Sequence, residues 1–265
     1  MLKNRVITSI VLLPVLLAAV WFDTPLPWLT ILAAAWGLLA AFEFYKGAQA
    51  RGANPLIFPG LAWALLFIIS PQYLPGDAAP LLFTSAVVLL PIALLFRERK
   101  EGAFLDWAWT LAGIFYIGWL LSHYVSLRGF YQGREWVLFA LIVTFASDSM
   151  AYFIGRAWGK HKMAPGISPK KTWEGAIGGL AGAVIAGVLL AMLLDLPLGY
   201  IGAILLALAA SVFGQVGDLF ESLYKRYTGI KDSGTWLPGH GGFLDRMDSV
   251  LFAGAVVYYY VIYFA

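Results

Sequence analysis

No cysteine occurs in the 265 residues. Disulfides, iron–sulfur clusters and thiolate metal sites are thereby excluded, and the redox compartment leaves no trace. Charge is also scarce: Asp, Glu, Lys and Arg make up 12% of the chain, against about a quarter in an ordinary soluble domain. Histidine is limited to His123, His161 and His240, far apart and without an H-E-x-x-H pattern, so a zinc site has no support. There is no G-x-x-x-x-G-K-[ST] loop, no G-x-G-x-x-G after a strand and no G-x-S-x-G elbow. Internal repeats, low-complexity segments and long linkers are missing too, which points to a single membrane domain over 1–265.

What fills the chain is apolar: 61% of its residues are hydrophobic, as expected of an integral membrane protein. Eleven Trp and thirteen Tyr suit aromatic belts at two membrane interfaces. A span needs about 20 apolar residues. Candidate stretches lie at roughly 6–22, 28–47, 55–70, 79–96, 104–125, 136–155, 172–194, 198–220 and 245–264, the third short and carrying Pro59. The expected fold is therefore all-α and polytopic, with about nine transmembrane helices. The run after Lys3 and Arg5 resembles a signal peptide, but no A-x-A site closes it and further spans follow at once, so it reads as an uncleaved first span.

Of the 18 Lys and Arg residues, all but Arg128 and Arg134 fall in one alternating set of connectors. By the positive-inside rule the N-terminus lies in the cytoplasm and the C-terminus outside. This topology accounts for the net charge of +3, and no nucleic-acid partner is expected. Within the first five spans little chemistry is visible. Glu43 near the cytoplasmic end of the second reads as a structural acid pairing with Lys46 or snorkelling. Asp106 suits a helix N-terminus, and His123 an interface. The 1–130 segment is assigned a mainly structural, lipid-facing role, and 136–265 the catalytic one.

The second half differs. Asp148 sits inside an apolar helix, where a charge costs roughly 2.5–3.5 kcal/mol on insertion scales and marks function by default. A basic loop follows. In it Ser168 is expected to cap a helix with Pro169 at its first position, placing Lys170 and Lys171 in the first turn. Cations there oppose the helix dipole, so a bound phosphate is inferred. Gly175, Gly178, Gly179 and Gly182 make a small-residue ridge for close packing, within the chain or across a homodimer. Further on, Ser211, Gln215, Asp218, Ser222 and Lys225 form one polar stripe on a helix, which lipid would not tolerate. The segment Ser222–Asp248 is the most polar of the chain. It carries Lys225, Arg226, Lys231, Asp232, His240, Asp245, Arg246 and Asp248 among glycines. Asp245 and Asp248 are three apart at the expected start of the last span and share its face. Carboxylates from three spans can thus meet near the cytoplasm. Hard oxygen ligands with no thiolates suit Mg²⁺, held by one or two carboxylates plus substrate phosphates. These residues describe a cytoplasm-facing, Mg²⁺-dependent enzyme acting on phosphate groups in the membrane.

The same 27-residue segment resembles the signature of phosphatidate cytidylyltransferases, S-x-apolar-K-R-x4-K-D-x-small-x2-apolar-P/G-x-H-G-G-apolar-x-D-R-apolar-D. It departs only at Tyr224, where an aliphatic residue or Phe is usual. S-D-S-M-A-Y-F-I-G-R and I-S-P-K-K-T-W-E-G are also similar to that family, with Ser149 in place of the expected Thr. The resemblance covers about residues 140–250. It implies CTP and phosphatidate as substrates, CDP-diacylglycerol and pyrophosphate as products, and a bacterial cytoplasmic membrane as location.

On this resemblance Asp218 and Asp245 are the leading Mg²⁺ ligands, Asp248 and Asp148 further candidates, and a second metal ion is left open. Lys225, Arg226, Lys231 and Arg246 hold triphosphate or lipid phosphate, with Lys170 and Lys171 on the opposite wall. Ser222 and His240 orient substrate, Asp232 belongs to the substrate-binding group, and the N–H groups of Gly241 and Gly242 face phosphate. The glycine ridge and the family both suggest a homodimer. Two rival readings are a CTP-dependent lipid kinase, of the polyprenol type, and an ion-coupled transporter using Asp148 and Asp218 as a relay.

Overall fold

The computed structural model describes residues 2–265 apart from Asp77, Arg99, Pro238 and His240, with side chains described from Ile10 onward. The chain forms α1 (Leu2–Trp21), α2 (Trp28–Ala50), α3 (Ile57–Tyr73), α4 (Ala78–Leu95) and α5 (Ala103–Gly113), which runs through a π-helical turn, Ile114–Trp119, into α6 (Leu120–Arg128). Then come α7 (Gly133–Trp158), an antiparallel hairpin of β1 (Lys162–Ala164) and β2 (Ser168–Thr172), α8 (Trp173–Leu193), α9 (Tyr200–Thr228), a 3-10 turn at Leu244–Arg246 and α10 (Asp248–Phe264). Each expected stretch is matched by a helix with ends within a few residues, except that α9 runs eight residues past the expected end at 220.

Among the described residues, six helical stretches are long and apolar enough to cross a membrane: α2, α4, α5 through α6, α7, α8 and α9. Ile10–Trp21, α3 and α10 are apolar but shorter. Large apolar side chains stand on the outside, among them Leu81, Leu95, Ile177, Leu193 and Ile201, which suits a lipid-facing surface and not water.

The packing divides into two compact units, residues 1–129 with 227–246, and residues 130–226 with 247–265. In the first, Phe67, Leu82, Ala86, Leu90 and Ile114 form a buried cluster fringed by Trp63, Phe83 and Trp119. Arg97 binds Asp106 at 3.2 Å and the Asn54 carbonyl at 2.8 Å, tying the end of α4 to the start of α5. His123 is 1% exposed and meets the Trp119 ring edge-on, a packed residue instead of an interface one.

In the second unit the glycine ridge of α8 lies against α7 of the same chain. A Cβ on Gly175 would come within 2.8 Å of the Ala151 carbonyl, and one on Gly182 within 2.4 Å of Met150 Cγ. The ridge is used internally, so it gives no support to a dimer. The start of α8 also differs from expectation. Ser168, Pro169, Lys170 and Lys171 are in β2, and the cap is Thr172, whose Oγ1 accepts from the Gly175 N–H at 3.2 Å. Pairing with β1 holds those residues extended, and Glu174, not a lysine, occupies the first turn. The inference of a phosphate at a lysine-bearing helix N-terminus therefore falls.

Candidate active site

The polar stripe of α9 faces protein. Ser211 Oγ is 2.7 Å from Ser147 Oγ on α7, and Gln215 Nε2 donates to the Ala176 carbonyl on α8 at 3.2 Å. Further along, Asp218 Oδ2 meets Lys171 Nζ at 2.7 Å, and Lys225 Nζ meets Glu221 Oε2 at 2.7 Å. Gly217 explains how α10 joins them: a Cβ there would lie 2.3 Å from the Asp248 carbonyl oxygen, so only glycine admits the helix start this closely. Asp248 is consequently within electrostatic reach of Asp218, Glu221 and, most weakly, Asp148. Ser249 Oγ lies 3.4 Å from Asp148 Oδ1, tying α10 to α7.

Acids of α7, α9 and the start of α10 thus lie on facing elements of the second unit, with Lys171 paired to Asp218 and Lys225 to Glu221. Glu221, fully buried, was missed in the sequence although it lies three after Asp218 and four before Lys225, on the stripe's own face. Lys170 and Arg226 are exposed, and Arg226 Nε donates to the Ile167 carbonyl at 3.1 Å, bracing the hairpin turn. At the hairpin's other end His161 Nδ1 meets Glu174 Oε1 at 2.6 Å. Ser222 is half-buried on α9.

The remaining signature residues belong to the first unit. Asp245 is in the 3-10 turn, not in α10, which begins at Asp248. Its Oδ2 accepts from the Ser233 N–H at 2.9 Å, Ser233 Oγ at 3.0 Å and the Gly242 N–H at 2.8 Å. The Gly242 N–H therefore faces a carboxylate of the chain itself instead of a phosphate. Gly241 has φ +81°, and its carbonyl accepts from the Leu237 N–H at 3.0 Å, which closes the loop. Lys231, Asp232 and Arg246 are exposed. His240 lies outside the described residues. Glu43 of α2 joins this loop by accepting from Ser233 Oγ and the Leu244 N–H, each at 2.9 Å. Its expected partner Lys46 instead lies over the Phe42 ring, 5.5 Å from the centroid.

Among the described residues no three His, Asp or Glu side chains form a ready-made metal cage. Magnesium seldom uses one: it keeps waters and takes one or two carboxylates plus substrate phosphates. Asp218 and Asp248, hard oxygen donors brought together by the Gly217 approach, fit that requirement. The neighbouring lysines supply the charge a phosphate would need.

Residues 3–264 match the model of the cytidylyltransferase family. A phosphatidate cytidylyltransferase of Brucella abortus is 40% identical over 265 residues, covering 100% of this chain and 94% of that protein. One from Bacillus subtilis is 37% identical, covering 100% and 99%. One from Staphylococcus haemolyticus is 38% identical over 73% of this chain and 75% of its own length.

Proposed function

The chain belongs to the cytidylyltransferase family, and from that premise we propose that it transfers the cytidylyl group of CTP to phosphatidate, giving CDP-diacylglycerol and pyrophosphate. The observation that carries this reading is similarity over the full length to relatives of that name. The anionic phosphate oxygen of phosphatidate attacks the α-phosphorus of CTP. A new O–P bond forms, the bond from the α-phosphorus to the bridging oxygen breaks, and pyrophosphate leaves with the electron pair. No strong general base is needed, since the nucleophile is already an anion. The barrier is the approach of like charges and the growing charge on the leaving group.

Lys171 and Lys225, paired with Asp218 and Glu221 on α9, would lower that barrier by turning toward the phosphates. Asp218 and Asp248 would hold Mg²⁺, with Asp148 supporting; Asp245 is a further candidate ligand. The ion would screen the phosphates and stabilise the leaving pyrophosphate. Lys170 and Arg226, exposed in the second unit, would meet incoming triphosphate or lipid headgroup; Lys231 and Arg246, exposed in the first, are candidates for the same groups.

Nine spans, a cytoplasmic N-terminus, an outer C-terminus and a site facing the cytoplasm of a bacterial inner membrane complete the proposal. The charge asymmetry of the connectors supports this topology. Acyl chains stay in the lipid. The test is a product assay on the detergent-purified chain. Radiolabelled CTP and phosphatidate should yield CDP-diacylglycerol and pyrophosphate in equal amounts. CDP and a newly phosphorylated lipid would mark a kinase instead. Cysteine labelling at position 235 from outside intact cells would overturn the topology.

A further inference from the structure

Glu43 is 2% exposed and the only acid on the largely apolar α2, and no part of the 222–248 signature includes it. A buried carboxylate is expensive unless donors compensate it. Here they come from a loop about 200 positions away: Ser233 Oγ and the Leu244 N–H both donate to Oε2 at 2.9 Å. The loop is shaped to the acid. A Cβ on Gly234 would lie 2.1 Å from Glu43 Oε1, and one on Gly242 would lie 2.4 Å from Oε2. Trp36, about two turns earlier on α2, adds a bond from Nε1 to the Phe243 carbonyl at 3.1 Å. Ser233 Oγ stands between two acids, 2.9 Å from Glu43 and 3.0 Å from Asp245 Oδ2, and accepts from the Asp245 N–H at 3.3 Å. A hydroxyl has one proton to give, so the two carboxylates share it and their positions are linked.

Resting on the reading that Asp245 serves cytidylyl transfer, we propose that Glu43 is a positioning residue for that reaction: from α2 it fixes the Asp232–Arg246 loop and, through Ser233, the Asp245 carboxylate. Charge-assisted bonds from a rigid helix are what such a loop requires, since four glycines between 234 and 242 leave it little stiffness of its own.

The test compares the full-length variants Glu43→Ala, Glu43→Gln and Ser233→Ala in detergent, with kinetics and hydrogen-exchange mass spectrometry. Glu43→Ala should lower kcat about 10–100-fold, with KM for CTP moving less than about threefold. Exchange should quicken in peptides covering 232–246 and stay unchanged in α7 to α9. Glu43→Gln keeps an acceptor and should recover to within about fivefold of the parent. The double variant Glu43→Ala/Ser233→Ala should be little worse than Glu43→Ala alone, because both remove one linkage. Parent-like exchange of 232–246 in Glu43→Ala, or effects that simply multiply, would overturn the proposal. If Glu43→Ala does not fold, Ser233→Ala decides: unchanged exchange and kcat refute the linkage. A fully active Asp245→Asn would instead sink the role given to Asp245, while the exchange data still judge the hold of Glu43 on the loop.

Discussion

Lys171 Nζ lies 2.7 Å from Asp218 Oδ2, joining the hairpin strand β2 to α9. The side chains are 23% and 33% exposed overall, although the Lys171 ammonium nitrogen itself is covered. Among the described residues the ammonium makes no aligned hydrogen bond, so the contact is charge attraction, and its donors are left for a phosphate in the proposed reaction. Lys171→Met should therefore lower kcat/KM about 10–100-fold, the range for a hydrogen bond to a charged group. Lys171→Arg should keep part of the activity. In an Asp218→Asn background the same Lys171→Met change should cost less than it does alone, which steady-state kinetics on all four proteins would measure.

The proposal that Asp218 and Asp248 hold Mg²⁺ is tested by metal removal. Chelation with EDTA should abolish activity and Mg²⁺ should restore it. Asp218→Asn and Asp248→Asn should each lose at least about 100-fold in kcat, as when a group stabilising transition-state charge is removed. Asp148, whose contact with Ser249 is long at 3.4 Å, should lose less. Mg²⁺ titrations of each variant would check the ranking, and full activity in Asp218→Asn and Asp248→Asn would end the assignment.

Gly217→Ala tests the approach of α10 to α9. The added methyl meets a backbone oxygen, not a movable side chain, at 2.3 Å. Overpacking of this kind costs about 1–3 kcal/mol. The thermal midpoint should drop several degrees and activity should fall with it, since Asp248 is displaced from Asp218. Gly76→Ala, with nothing within 4 Å, should leave both unchanged.

The start of α8 gives a fourth prediction. Thr172→Val removes the cap and should destabilise by about 1 kcal/mol, whereas Thr172→Ser should be close to neutral. Ser168→Ala should also be near neutral, the opposite of what a Ser168 cap would require. Thermal unfolding in detergent separates the two.

Helix positions were legible because hydrophobic runs are a local property: each expected stretch has its helix, and among the described residues six of the helical stretches are long and apolar enough to cross a membrane. The polar stripe of α9 was legible for the same reason, since spacing along one helix fixes its face. Lys171 shows the limit. Its importance could be inferred from an unusual charge, but the supposed reason, a helix N-terminus, was wrong. Strand pairing between Lys162–Ala164 and Ser168–Thr172 overrode a local capping pattern. Glu43 shows another. A lone acid in an apolar helix carries a signal of function, yet the nearby Lys46 offered an easier partner, and Ser233 occupies an unspecified position of the signature.

Composition, periodicity and one dense polar segment were enough to indicate an all-α membrane protein, the order of its helices and its family, because each is written in residues close together along the chain. Only the tertiary structure decided which acid meets which donor. Glu43 finds Ser233 across 190 positions, and Asp248 reaches Asp218 where Gly217 lets two backbones touch. Such meetings depend on how helices pack, and no local spacing contains that information.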